Sequence, residues 1–425
     1  MKAQSIARRV ACAGLALAVT GGAAACSKTS SSPSASSGGS QGGGGGTYTV
    51  WDPYPQFDGS SDWSKLLDKC GSDAGVSIKR TGYDTSDLTN KELLAAQQGN
   101  SPDVLIVDNP VVSTLADAGV LTDTGQTSLD TSGISPNLLA AGQLAGKTYG
   151  IPIGANTLAL YYNKTILQAA GVDPASIKDW DSLNAALAKV KAAGKKGITF
   201  SAIGTEEGSF QFEPWLWGMG ADLTKLDSAA AVAALTLWTT WLKDGYAPNS
   251  VINDTQTTSW QEFASGDTAF SENGTWQLAN AQKAGFPYGI MPIPAEHGGA
   301  APVPTGGEFI TVPVQGNTAR YATSERIVSC LSAAGNAYIT DNTLSYVAPS
   351  AAVQAKQIAA DPALRVWVTA VHSGKARTGD NLGTNYPKIS QQLWTAVQAA
   401  LSGSASPQAA LITAQGAAAS ATSGQ

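Results

Sequence analysis

Few residues in this 425-residue chain could perform covalent chemistry. There are two histidines, His297 and His372, and four cysteines. No G-x-S-x-G elbow joins a predicted strand to a predicted helix, and no G-x-x-x-x-G-K-S/T loop is available to cradle a nucleotide. Glu206 and Glu207 are adjacent in GTEEGS, a spacing that does not by itself oppose two carboxylates across a glycosidic bond. Acidic residues elsewhere leave a distant pair open. The chain is richer in aromatic rings set beside planar polar groups. It has 11 Trp and 12 Tyr, several of them at the ends of predicted elements. WDPYPQF carries Asp52 and Tyr54, QFEPWLWGMG carries Glu213, Trp215 and Trp217, and ENGTWQ carries Trp276. Rings of this kind have an apolar body and a polar tip, and carboxylates and amides supply acceptors and donors. The combination suits reversible recognition better than bond-breaking.

These residues need elements to hold them. TYTVWD, VSIKR and DVLIV read as strands, and Trp63, Leu66, Leu67 and Cys70 lie at helical spacing on one apolar face. DWDSLNAALAKVKAAGKK and AAAVAALTLWTTWLKDG are predicted helices, and GITFSAIG, PYGIMPIP and GGEFITVP are extended. Strands alternating with helices predict an α/β architecture with a mostly parallel sheet covered on both faces. Asp52 follows the first strand and Asp108 and Asn109 follow DVLIV, where open α/β sheets hold ligands. Capping turns, shaped by Pro53 and Pro55 or leading into Pro110, account for the same residues without a ligand. A hydrophobic content of 43% supports a sizeable core, and a net charge of −6 argues against binding to nucleic-acid backbones.

The N-terminus reads as a secretory signal over residues 1–25. Lys2, Arg8 and Arg9 precede the apolar run Val10–Val19, which is shorter than the ~20 residues of a membrane span. Cys26 follows Ala23, Ala24 and Ala25, which resembles a bacterial lipobox with alanine where leucine is common. Cys26 is therefore a lipidation candidate, with ordinary cleavage nearby as the alternative. Residues 26–46 form a Gly/Ser tract that cannot pack a core and would tether the folded part of the chain to a membrane surface.

NSPDVLIVD, GKTYGIPIGANTLALYYNK, WQEFASGDTAFSENGTWQ, the PIP…GGEFITVP run and the final SPQAAL helix, in this order, resemble the extracellular sugar-binding lipoproteins of ABC importers, of which maltose-binding protein is a familiar relative. The resemblance implies a two-lobed, periplasmic-binding-protein-like α/β fold with an interlobe cleft and hinge crossovers. Lobe one would take residues 47–155 and 305–346, and lobe two 156–304 and 347–425. GIPIGANTLALYYNK would be the first crossover, with Gly150, Pro152 and Gly154 suited to an extended connection. A return would follow near Val303–Gly307. The implied function is capture of a mono- or oligosaccharide and delivery to membrane permease subunits. No enzymatic activity, cofactor, metal or nucleic acid is expected. The expected state is a lipid-anchored monomer on the outer face of the cell membrane.

The same resemblance bears on single residues. The implied topology brings Cys70 and Cys330 into one lobe, and in an oxidising compartment it predicts a disulfide between them. Expected ligand contacts are Asp52, Tyr54, Asp108, Asn109, Asn156, Glu213, Trp215, Trp276, Gly307, Glu308 and Arg377. Of the two tryptophans in QFEPWLWGMG, Trp215 is assigned to the cleft and Trp217 to the core. Alternatives remain: a peptide or polyamine ligand, a ferric ion held by Tyr161 and Tyr162, or a secreted glycoside hydrolase.

Overall fold

The computed structural model describes residues 46–83, 85–379 and 382–423. The expected leader, Cys26 and all but the last residue of the Gly/Ser tract lie outside the described residues. Two sheets organise the chain. The first has the order Ser77–Gly82, Thr47–Asp52, Val104–Asp108, Glu308–Thr311, Ile151–Pro152; the first three strands are parallel and the last two join antiparallel. The second has the order Tyr288–Met291, Leu158–Asn163, Thr268–Gly274, Lys196–Thr199, with the last pair parallel and the other two antiparallel, so the expected mostly parallel sheet is corrected to two mixed sheets.

Each sheet is apolar on both faces because successive strand residues point opposite ways. Val104 and Ile106 pack with Val50 and Ile310 on one side of the first sheet, while Leu105 and Val107 pack with Phe309 on the other. In the second sheet Leu158 and Leu160 join the large core around Trp215, Trp238 and Trp241. Ala159 and Tyr161 face a separate cluster with Trp260 and Trp367.

Helix ends follow local chemistry. Helix Asp62–Asp73 is capped by Ser61, which accepts from the Ser64 amide, and it buries Trp63, Leu66, Leu67 and Cys70. Helix Trp180–Ala192 opens with a reciprocal Asp179–Ser182 capping box. Asp108 caps helix Asn109–Asp117, whose first turn holds Pro110. QFEPWLWGMG lies in helix Glu206–Gly218, with Pro214 inside it. Cys70 is disulfide-bonded to Cys330 of helix Tyr321–Ser332, with 5.6 Å between Cα atoms, so a link 260 residues apart in sequence ties two helices on one face of the first sheet.

The chain passes from the first sheet to the second between Pro152 and Leu158, and back between Met291 and Glu308. These passages run beside one another. Ala155 bridges to Val347 and Asn156 to Gly306, while Pro304–Thr305 pairs in parallel with Lys375–Ala376. Arg377 is thereby delivered to the line where the two halves meet.

Candidate functional site

The site is built outward from this crossing. Arg377, 3% exposed, is its electrostatic centre. Its Nη1 donates to Glu206 Oε1 at 2.7 Å, and its Nη2 donates to Asp108 Oδ1 at 2.9 Å and Asn109 Oδ1 at 3.0 Å. Its guanidinium lies 4.9 Å from the Phe210 ring centre. Asp108 ends a strand of the first sheet and Glu206 opens a helix packed on the second, so one cation joins both halves. Burial works against its charge, but Asp108, Tyr386 and Glu206 outweigh that and hold its pKa well above the ordinary value. The Tyr386 and Ser390 hydroxyls also donate to Glu206. Asn109 Nδ2 donates to the Thr305 carbonyl at 2.8 Å, clamping the return crossover.

An aromatic wall stands next to this network. Phe210 and Trp276 have ring centres 6.3 Å apart. Trp276 is half-buried, with its indole folded over Gly274; a Cβ there would meet Trp276 Cζ3 at 2.1 Å, so only glycine admits the pose. Gly306 is constrained in the same way, since a Cβ would lie 2.0 Å from Asn156 Oδ1 and 3.2 Å from Phe210 Cζ. Half-buried Asn156 and Trp276, buried Phe210 and the Arg377 cluster therefore share one locality at the crossing. Glu206 and Asp108 keep side-chain exposures of 35% and 21% there. Trp51, edge-on to Tyr83 at 5.1 Å, packs against the same core cluster as Ala376.

Other expected contacts are turned inward. Asp52 is fully buried and satisfied: it accepts from Arg80 Nε at 2.6 Å, Arg80 Nη2 at 2.8 Å, Trp63 Nε1 at 3.0 Å and the Tyr54 amide at 3.0 Å. The capping turn accounts for it. Tyr54 is buried, and its hydroxyl donates to Glu308 Oε2 at 3.0 Å, beside that of Tyr346 at 2.7 Å. Burial first, then Asp108, pushes Glu308 up to about 7. Gly307 has φ +106° and passes its carbonyl to the Asn109 amide.

The assignment of Trp215 to the cleft is corrected, while Trp217 lies in the core as expected. Trp215 is wholly buried, donates Nε1 to Glu272 at 2.8 Å and packs edge-on to Trp241. Trp217, also buried, is the one within reach of Lys375, 5.0 Å from its ring centre. On helix Glu206–Gly218 the residue that reaches the crossing is Phe210. Glu213 sits behind Tyr386, whose hydroxyl lies 2.9 Å from its Oε1; burial and then Glu206 hold its pKa well above the usual carboxyl range. Phe210, Glu206 and Tyr386 were missed as site residues. An aromatic one helical turn beyond the Glu206–Glu207 pair was the signal available for Phe210.

The tyrosine pair does not present two oxygens to one ion. Tyr161 and Tyr162 alternate across their strand, and Tyr161 is buried with its hydroxyl donating to the Gly274 carbonyl at 2.8 Å. The Asp108 and Glu206 carboxylates are both committed to Arg377 rather than facing each other across open space. The arrangement offers a ring surface, an amide and two neutralised carboxylates, which is equipment for holding a polar ligand.

A family model described as bacterial extracellular solute-binding protein matches residues 65–366. The maltodextrin-binding protein of Bacillus subtilis is 26% identical over 234 residues, covering 49% of this chain and 51% of that protein. A Brucella abortus protein described as a binding protein is 31% identical over 174 residues, covering 38% of this chain and 41% of its own length. The chain thus spans about half the length, or less, of these curated relatives. Among solved structures, the GacH receptor of Streptomyces glaucescens, determined unliganded and with acarbose, superposes with a TM-score of 0.74 at 26% identity, covering 89% of this chain and 99% of that one. On the strength of a family match spanning well over half of its length, the chain belongs to the bacterial extracellular solute-binding proteins.

Proposed function

We propose that this protein is the substrate-binding component of an ABC importer and that it captures a mono- or oligosaccharide at the crossing between its two halves. The carrying observation is the grouping of Phe210, Trp276 and Asn156 beside the Arg377–Asp108–Glu206 network, drawn from both halves. Sugars have apolar C–H faces and equatorial hydroxyls, so rings and planar polar groups complement them. The lobes would comprise residues 47–155 with 305–346, and 156–304 with 347–425. Ligand contacts to both would favour closure, because only differential affinity shifts such an equilibrium. The closed form would dock on permease subunits, with Cys26 lipidation keeping the protein at the outer membrane face. No bond is broken or made by the protein.

A thermal-shift screen against saccharides, with amino acids, polyamines, peptides and ferric ion as controls, tests this reading. A ligand at 100 times its Kd adds about 2.7 kcal/mol to folded stability. A selective saccharide shift that disappears in Trp276→Ala is expected. Shifts confined to a control class would overturn the sugar assignment.

A further inference from the structure

We propose that the free edge of the second sheet is a docking site for an extended, acidic segment of another polypeptide. A cavity of about 650 Å3, whose lining includes none of Arg377, Asp108, Glu206, Phe210, Asn156 and Trp276, lies between strand Tyr288–Met291 and helix Leu364–His372. Its floor includes Tyr288, Ile290 and Pro292, and Val366, Thr369 and Ala370 of the helix face it. Its volume falls within the usual range for ligand sites.

The backbone along this cavity is unfinished. Tyr288–Met291 is an edge strand whose one neighbour in the sheet is Leu158–Asn163, antiparallel. The Lys164 amide donates to the Pro287 carbonyl at 2.9 Å, which sets the phase of the ladder. Hydrogen-bonded pairs then recur at Gly289–Tyr162 and Met291–Leu160, and the N–H and C=O groups of Tyr288 and Ile290 face outward. Among the described residues no hydrogen bond reaches those four groups. A row of alternating donors and acceptors is matched by another backbone. A small amphiphile could fill the cavity but would leave the row unpaired.

Charge decides which backbone. Lys164 and Arg365 both line the cavity, and neither side chain has an ion-pair partner among the described residues. The nearby acid, Asp361, is occupied in capping the Ala363 amide at 2.9 Å. A segment alternating apolar and acidic residues would place its apolar side chains on Ile290, Pro292 and Val366 and its carboxylates toward the two cations. The arrangement is separate from the proposed saccharide site and does not depend on it.

The test uses the purified full chain and a fluorescent heptapeptide alternating valine and glutamate. Anisotropy should show binding, and hydrogen exchange should slow at Tyr288 and Ile290. An N-methylated analogue, which keeps the side chains but loses its amide donors, should bind at least about tenfold more weakly. The Lys164→Glu, Arg365→Glu double variant should lose about as much while keeping its melting temperature and any saccharide response. Failure of the parent peptide to bind at millimolar concentration would overturn the proposal. So would equal binding of the N-methylated analogue, or saturable binding of dodecanoate with none of peptide, either of which would make the cavity an amphiphile pocket.

Discussion

Two corners of this molecule look alike in sequence and behave differently in space. Asp52–Tyr54 and Asn156–Trp276 each combine an aromatic ring with a planar polar group at the end of a strand. At the first corner every polar atom of Asp52 is consumed internally by Arg80, Trp63 and the Tyr54 amide. At the second, Trp276 and Asn156 stay half-buried beside Phe210, and two carboxylates keep part of their surface in solvent. Residue type nominates a site. Whether its hydrogen-bonding capacity is already spent decides between scaffold and binding surface.

The sharpest way to break this contrast is to exchange stability effects for binding effects. Asp52→Ala leaves the Arg80 guanidinium, 15% exposed, without its carboxylate. We expect a loss of about 3 kcal/mol in urea unfolding with saccharide affinity of the folded protein unchanged; an affinity loss without destabilisation would move Asp52 into the site.

A similar loss follows from proton linkage at Glu308, which belongs to the closed corner. Its carboxyl is raised from 4.5 to about 7 in the fold, so the folded state holds a proton that the unfolded state releases. The contribution of this carboxyl to stability is fully present below pH 4.5, is lost as pH rises from 4.5 to 7, and changes no further above that. The total is roughly 3 kcal/mol, an order-of-magnitude figure. Glu308→Gln should flatten this part of a stability-against-pH curve. An unchanged slope would mean that the carboxyl ionises freely in the native protein. Glu92, raised to about 7 by burial, adds a parallel slope of the same sign that the variant leaves in place.

At the open corner the order reverses. Trp276→Ala should cost about 2 kcal/mol in saccharide binding by calorimetry and less than that in unfolding, because the ring is only half-buried. A larger stability loss than binding loss would make it a packing residue. The smallest effect is expected for Tyr386→Phe, which removes one hydroxyl shared by Glu206 and Glu213. About 1 kcal/mol of stability is the expected change, with saccharide affinity lowered only as far as Glu206 and Arg377 shift.

Local signals were the legible ones. The helical spacing of Trp63, Leu66, Leu67 and Cys70, the Leu183–Val190 face, and the continuous apolar run in DVLIV each announce an element through a few neighbouring residues. The placing of the two crossovers came from the resemblance, and the strands on either side of each belong to different sheets. The faults arose where the deciding neighbour is remote. Trp215 and Trp217 are two residues apart on a helix, and the two remain indistinguishable until Glu272 and Trp241 are brought against the first.

The sequence by itself determined the family, the alternation of strands and helices, their caps, and the shortlist of rings and carboxylates, because those signals act over a few residues. Tertiary structure alone decided which members of the shortlist face the crossing. Arg377 meets Glu206 across 171 positions and Asp108 across 269, and Tyr54 meets Glu308 across 254. A buried charge must find its partner wherever packing puts one, and no local pattern in the chain records where that will be.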